Sequence, residues 1–485
     1  VEAIALRAPA PRLPGLDLIR AVAITWVMIY HGSLFGLISQ DHWLVRFGWM
    51  GVDLFFVLSG FLIAGQLLRP WAQGASPSYS RFFARRLLRT LPAYLAVVGL
   101  YFAIPQVRDR ADIAPLWQFL TFSENWLVDL STPKAFSHVW SLCVEEQFYL
   151  VFPVVVALVA RRPTPAKVYA ALISVLVLGM VLRGYLWLHS VAEIPFDINA
   201  APRSGPYMRL IYYPTGTRLD GLLMGIVAAA IRAFRPATWT RLTARPNLLL
   251  GAGLLGVVIS TFVFHGQIAR FWPTVVGFPL LSFSIMLIVM ACSVGGSLIS
   301  RHAVPGASAL AAGAYSLYLS HKMVFHAVQG MLPRAPAPLH PFAFAAALLA
   351  ALAVGAVLYG LVERPFLKLR DRLDGPSRSS LAAPGTAGLK SWGRTRDAYK
   401  YSAYPILRRE ADGAAPQGLR RASGPADFAM HSGRLGPAWP PPPYTSEHAV
   451  AANAFRRGCP ANLAELSPRA AEIAGSDMAY RHITQ

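Results

Sequence analysis

The chain has 485 residues, 55% of them hydrophobic and only 14% charged, and its mean hydropathy is +0.43. A soluble domain carries about 25% charged residues, so the composition excludes an ordinary soluble enzyme and points to a membrane protein. The net charge of +21 does not make it a nucleic-acid binder, because the arginines sit in short groups between apolar runs and in the tail, not on one basic face.

Ten apolar runs approach the length of about 20 residues that a bilayer requires. They lie near 16–38, 47–68, 91–106, 139–160, 166–188, 213–233, 247–265, 273–293, 308–331 and 341–363, the third being short. The first follows Arg7 and Arg12 and is too long for a signal-peptide core, so it is expected to stay as a span. Basic residues gather in alternate loops: Arg81, Arg85, Arg86 and Arg89; Arg161, Arg162 and Lys167; Arg232, Arg235, Arg241 and Arg245; then Arg364, Lys368, Arg370 and Arg372. In the other loops they are fewer, and Arg108 and Arg110 are offset by Asp109 and Asp112. The positive-inside rule then gives an all-α membrane bundle of about ten helices with both ends inside. Residues 1–374 form this core. Residues 375–485 are rich in Pro, Gly, Ala, Ser and Arg, include WPPPPY at 439–444, and read as a disordered inner-side tail.

Ionisable residues within spans mark functional interiors by default. In the first span, Arg20 and His31 are eleven residues apart, hence on one face and separated by roughly 16 Å. On the N-in topology, His31 falls in the outer half of the bilayer. Asp53 in the second span, His138, Ser141 and Glu145 in the fourth, Arg218 and Asp220 in the sixth, and His321 in the ninth fall at a similar level. His138 and Glu145, seven residues apart, share a helix face. Glu145 is expected to face the site and Glu146 to pair with a neighbouring span. On the inner side, Arg81, Arg85 and Arg89 recur every four residues with Arg86 beside them, a cationic strip suited to lipid headgroups or to a phosphate-rich ligand. Gly221 and Gly225 form a GxxxG pair, which is commonly helix packing.

Zinc spacing, a P-loop and a Rossmann glycine pattern are not found in the sequence, and no metal is expected. Cys143, Cys292 and Cys459 lie far apart and imply no disulfide framework. Such a chain suits either an enzyme or a transporter of a sugar or lipid-linked intermediate.

The ordered motifs LDLIRAVAITWVMIYH, GVDLFFVLSGFLI, RFFARRLLRTLPAYL, HVWSLCVEEQFYLVFP, RLDGLLMG, YSLYLSH and VERPF resemble the acyltransferase type 3 family of membrane O-acyltransferases, over about residues 13–373. The resemblance implies transfer of an acyl group, acetyl first of all, from cytoplasmic acyl-CoA to a hydroxyl of a carbohydrate or glycosylated acceptor on the far side of the cell inner (plasma) membrane. It maps the first-motif Arg and His to Arg20 and His31, the basic loop to Arg85, Arg86 and Arg89, and the last-motif glutamate to Glu363. His31, Arg20 and Glu145 are then the catalytic candidates. The acyl-CoA candidates are Arg85, Arg86 and Arg89, and the acceptor candidates are Asp53, His138, Ser141, Arg218, Asp220 and His321. The partners expected are membrane lipids, the acceptor glycan or glycolipid and polysaccharide-assembly proteins. Acyl-CoA is a co-substrate, not a resident cofactor. An extra span and a GDS-type serine motif, found in fused members, are not recognised here.

Overall fold

The computed structural model describes residues 13–160, 165–192, 205–265, 268–334 and 342–373. The tail at 375–485 lies outside the described residues, as do Arg161, Arg162 and Cys459. The long helices are α1 (Pro14–Leu34), α2 (Met50–Ala72), α3 (Tyr79–Ala103), α4 (Trp140–Ala160), α5 (Pro165–Ser190), α6 (Asp220–Phe234), α7 (Pro246–Val263), α8 (Phe278–Cys292), α9 (Ala307–Met331) and α10 (Ala343–Leu358). A π turn, Tyr359–Glu363, carries α10 into α11 (Arg364–Leu373). Proline opens α1 and α7, where its missing N–H costs nothing. Ser78 caps α3 by accepting from the Arg81 N–H.

Among the described residues, six helical segments are long and apolar enough to cross a membrane: Met50–Ala72, Ser137–Ala160, Ala166–Ser190, Pro246–Val263, Pro273–Cys292 and Ala343–Leu373. Helix α6 and the short helix Pro236–Leu242 pass the same test only together, across a bend of 116°, and count as a seventh if the pair is one broken span. Helices α1, α3 and α9 are as long but more polar. They include Asp17 and Arg20, the arginine strip, and His321 and Lys322 respectively.

Burial separates a core from a periphery. The apolar window of α2 is 78% buried, against 17% for those of α5 and α7, so α2 is central while α5 and α7 present leucine and valine faces suited to lipid. Helix α2 packs most closely on α6. Gly60 lies against the backbone of Leu222, and Gly221 and Gly225 lie against the Phe56–Gly60 turn, so any Cβ there would overlap backbone or side chain. The GxxxG pair is thus a helix contact. Helix α1 packs against both α2 and α9.

Three local expectations change. The arginine strip and the third span are one continuous helix, α3, with Pro92 inside it. His138 precedes α4 in a 3₁₀ turn, Ser137–Val139, so it does not continue the helical face of Glu145. Arg218 precedes α6, after the turn Thr215–Thr217.

The connection from α3 to α4 forms an ordered cap. Strand β1 (Asp112–Ile113) pairs in parallel with β2 (Lys134–Ala135), and between them lie the helix Leu116–Leu120 and the turn Glu124–Trp126. Phe136 has φ 60°, a region a bulky residue rarely enters. Its ring stacks on Tyr101 at 4.5 Å, and its N–H donates to Asp109 at 3.0 Å.

Candidate active site

A cavity of about 530 Å³ is walled by residues of α1, α2, α3, α4, α9 and α11. Its wall contains Arg20, Arg85, Arg86, Arg89 and Arg370 against Glu145, Glu146 and Asp371. Five guanidinium groups against three carboxyl groups leave a surplus of positive charge, and Arg370 already pairs with Asp371 at 2.6 Å. Arg20 lies 3.5 Å from Asp17. The Arg86 Nε is buried and has no hydrogen-bond partner among the described residues. Its guanidinium lies 5.4 Å from the centre of the Tyr149 ring.

Glu145 is held on both oxygens. The Ser59 hydroxyl donates to one at 2.8 Å and the Tyr149 hydroxyl to the other at 2.9 Å. A carboxyl group entering a span is therefore met by two hydroxyl donors, one from α2 and one from its own helix. Glu146 lines the same cavity, so both members of the pair belong to it.

At one point the wall is Tyr318 and Ser141, whose hydroxyls lie 2.6 Å apart. The Tyr318 hydroxyl also donates to the His138 carbonyl at 2.8 Å. Against the Tyr318 ring lie His138, at 5.3 Å between centroids, and His321, at 5.9 Å. His31, His138 and His321 thus come together from α1, the 3₁₀ turn and α9. Their ring centroids are 4.9 to 5.9 Å apart.

The hydrogen bonds assign the protons. His321 Nδ1 lies 3.0 Å from the Leu317 carbonyl, which only accepts, so this nitrogen is N–H. In neutral His321 the Nε2 then carries the lone pair and accepts from His31 Nδ1, 2.9 Å away. That leaves Nε2 of His31 with the free lone pair, the form of a general base. His31 remains partly exposed, whereas His138 and His321 are buried. His138 donates from Nε2 to the Tyr318 carbonyl at 2.9 Å, and its Nδ1 has no partner among the described residues.

Beside the histidines, Lys322 pairs with Asp109 at 2.9 Å. Burial alone would raise the Asp109 carboxyl, but Lys322, the Phe136 N–H and the Tyr101 hydroxyl outweigh it and hold the group below its ordinary value. Asp109 is thus a buried anchor as well as a count against Arg108 and Arg110.

Asp53, Arg218 and Asp220 lie elsewhere. Arg218 pairs with Asp53 at 3.1 Å, over the Phe278 ring at 4.0 Å. Asp220 binds Arg183 through two nitrogens at 2.7 and 3.0 Å. These charges neutralise one another inside the bundle and do not line the cavity. Arg183 was open to detection as the one charged residue within the apolar run 168–188, which demands a carboxylate partner. Glu363 is buried, accepts from Ser316 at 2.6 Å and also lies outside the cavity wall. Ser59, Tyr149 and Tyr318 gave no charge signal in the sequence. Among the described residues no group of His, Cys, Asp and Glu fits a metal ion.

A family profile described as an acyltransferase domain matches residues 13–360. The chain belongs to this acyltransferase family. It is 28% identical to the O-acetyltransferase OatA of Staphylococcus aureus over 385 residues, 74% of this chain and 58% of the relative. A putative O-acetyltransferase of the same species is 32% identical over 230 residues, 45% of this chain and 34% of that protein. The chain therefore spans little more than half the length of the OatA it matches. No solved structure matches it. The acyltransferase domain holds both the arginine-walled cavity, apart from Arg370 and Asp371, and the three histidines.

Proposed function

We propose that the protein is an O-acyltransferase of the cell inner membrane, moving an acyl group, first of all acetyl, from cytoplasmic acyl-CoA to a hydroxyl of a carbohydrate or glycosylated acceptor on the extracytoplasmic side. The observation that carries this reading is a cavity with surplus arginine that ends at Tyr318 and Ser141, with the His31–His321 pair behind Tyr318. Arginine holds phosphate by paired hydrogen bonds. Arg85, Arg86 and Arg89 bind the phosphates of the donor, while Arg20 and Arg370, paired with Asp17 and Asp371, complete the wall. A volume of about 530 Å³ lies within the range of about 300–1,000 Å³ usual for ligand sites. The names of the relatives favour an O-linked acetyl product, and family membership favours transfer over transport.

In the reaction, Nε2 of His31 takes the proton of the acceptor hydroxyl as its oxygen attacks the thioester carbonyl. A carbon–oxygen bond forms, the carbon–sulfur bond breaks, and the thiolate of CoA leaves and takes up the proton. His321 holds the His31 ring in the required tautomer. Glu145, fixed by Ser59 and Tyr149, keeps the midpoint of the cavity polar. Basic loops on one side support ten spans with both ends inside, surrounded by membrane lipid and open to polysaccharide-assembly partners.

Purified chain in lipid nanodiscs, given labelled acetyl-CoA and a glycan acceptor, is expected to yield an acetyl ester on the glycan with release of CoA. Movement of unmodified glycan with no consumption of acetyl-CoA would overturn the reading.

A further inference from the structure

The cap between α3 and α4 encloses a second cavity of about 100 Å³, bounded by Leu116–Leu120, Glu124–Trp126, the loop to β2 and Tyr213. A water molecule needs roughly 10–15 Å³ of such space. The cavity thus admits several hydroxyl-sized groups but not a whole oligosaccharide. Its wall includes exposed Leu127 and Asp129, so the cavity reaches the surface.

Two buried oxygens in this wall lack partners. Glu124 is 4% exposed and Gln118 8% exposed, and neither Glu124 Oε2 nor Gln118 Oε1 has a hydrogen-bond partner among the described residues. Native folds keep few such atoms, and each calls for an explanation. The ions nearby are matched already. Lys134 pairs with Asp129 at 3.1 Å and Asp112 at 3.7 Å, and Lys322 with Asp109 at 2.9 Å. Burial pushes the Glu124 carboxyl up to about 8, so near pH 7 it is largely neutral and able both to donate and to accept a hydrogen bond. A wall with no unmatched ion and two side chains that each hold a buried, unpartnered oxygen suits a neutral, hydroxylated ligand.

The cavity also adjoins the histidines. Ser137 in its wall precedes His138, and Lys322, which follows His321, donates to the Ser137 hydroxyl at 3.2 Å. None of its residues belongs to the arginine-walled cavity.

We propose that this cavity is an acceptor subsite that takes the neutral, hydroxyl-bearing edge of one sugar unit, with Glu124 and Gln118 as its hydrogen-bonding groups. The proposal rests on the O-acyltransferase reading and gives the acceptor its own place, apart from the donor.

The test uses methyl β-glucopyranoside as the probe and the full chain in lipid nanodiscs, read by saturation-transfer NMR. A signal is expected in the parent chain. It should persist in Glu124→Gln, which keeps a neutral donor and acceptor, and fall at least tenfold in Glu124→Leu and Gln118→Leu, with acetyl-CoA binding unchanged. No signal in the parent chain, or a signal that survives both leucine substitutions, overturns the subsite. Where a leucine variant fails to fold, carbodiimide labelling of Glu124 in the parent chain decides. The glucoside should slow it, and an unchanged rate overturns the proposal. Glucoside binding without acetyl-CoA binding would support the subsite and count instead against the donor reading.

Discussion

A single backbone carbonyl, that of Leu317, sets the chemistry of two histidines. It fixes the His321 proton on Nδ1, and through the 2.9 Å contact it leaves the His31 lone pair on Nε2. A general base contributes roughly 10²–10⁴-fold to turnover. His31→Ala is therefore expected to lower acetyl transfer at least about a hundredfold while acetyl-CoA still binds, since the arginines lie elsewhere. His321→Ala should cost less, because His31 remains but loses its tautomer lock. Turnover and acetyl-CoA binding measured on the same preparations check both, and near-normal turnover in His31→Ala would make it a structural histidine. Glu124 gives a pH prediction. Its carboxyl titrates near 8 in the fold against 4.5 ordinarily, with Lys322 the charged group acting on it and Lys134, Asp129 and Tyr213 in the same wall. Between these values the folded protein keeps a proton that the unfolded chain releases, so stability falls as pH rises across that window. The apparent Tm should decline from pH 4.5 to 8, and less steeply in Glu124→Gln. Equal slopes would show that the group does not contribute.

Helix α3 joins two roles that the sequence separates, since its arginine turns run without a break into its buried tyrosines, Tyr94 and Tyr101. Charged hydrogen bonds are worth about 1.5–3 kcal/mol each. Arg85→Ala and Arg89→Ala should each raise the acyl-CoA KM roughly 10- to 100-fold and leave the acceptor KM nearly unchanged. Steady-state kinetics in both substrates checks this, and an unchanged donor KM would return the strip to lipid binding. The α5–α6 contact depends on Arg183 and Asp220. Removing one partner of a buried pair costs about 3–5 kcal/mol, whereas replacing both by apolar residues is often neutral. Arg183→Leu is thus expected to reduce the yield of folded protein sharply, and Arg183→Leu with Asp220→Leu to recover most of it. Size-exclusion profiles of the three proteins provide the comparison, and no recovery in the double variant would point to the Thr217 and Val275 carbonyls that Arg183 also binds.

For the whole molecule, the family match ends at residue 360, and the cavity wall reaches Asp371. Truncation after Asp374 should therefore keep insertion and acetyl transfer within a few-fold of the full chain. Loss of transfer in a stably inserted truncation would assign the tail a part in the reaction. Arg370 and Asp371 set the limit on this cut, because a shorter chain would open the cavity wall.

The motifs, the order of the apolar runs and the basic groups are local properties, carried by residues near one another in the chain. The sequence alone therefore determined the class of protein, the family, the alignment of Arg20 with His31 and the arginine strip. It could not tell which polar residues meet. Asp53, Arg218 and Asp220 carried the same charge signal as Glu145, yet close helix contact at Gly60, Gly221 and Gly225 and the position of Arg183 turned them into internal ion pairs. His31 and His321 lie 290 residues apart, and only the packing of α1 on α9 brings their nitrogens to 2.9 Å. The hydroxyls that fix Glu145 and mark the end of the cavity, from Ser59, Tyr149 and Tyr318, carry no charge to announce them. For Ser59 and Tyr318 direction and distance come from tertiary packing alone, whereas Tyr149 reaches Glu145 from four residues further along the same helix, a spacing local to the sequence.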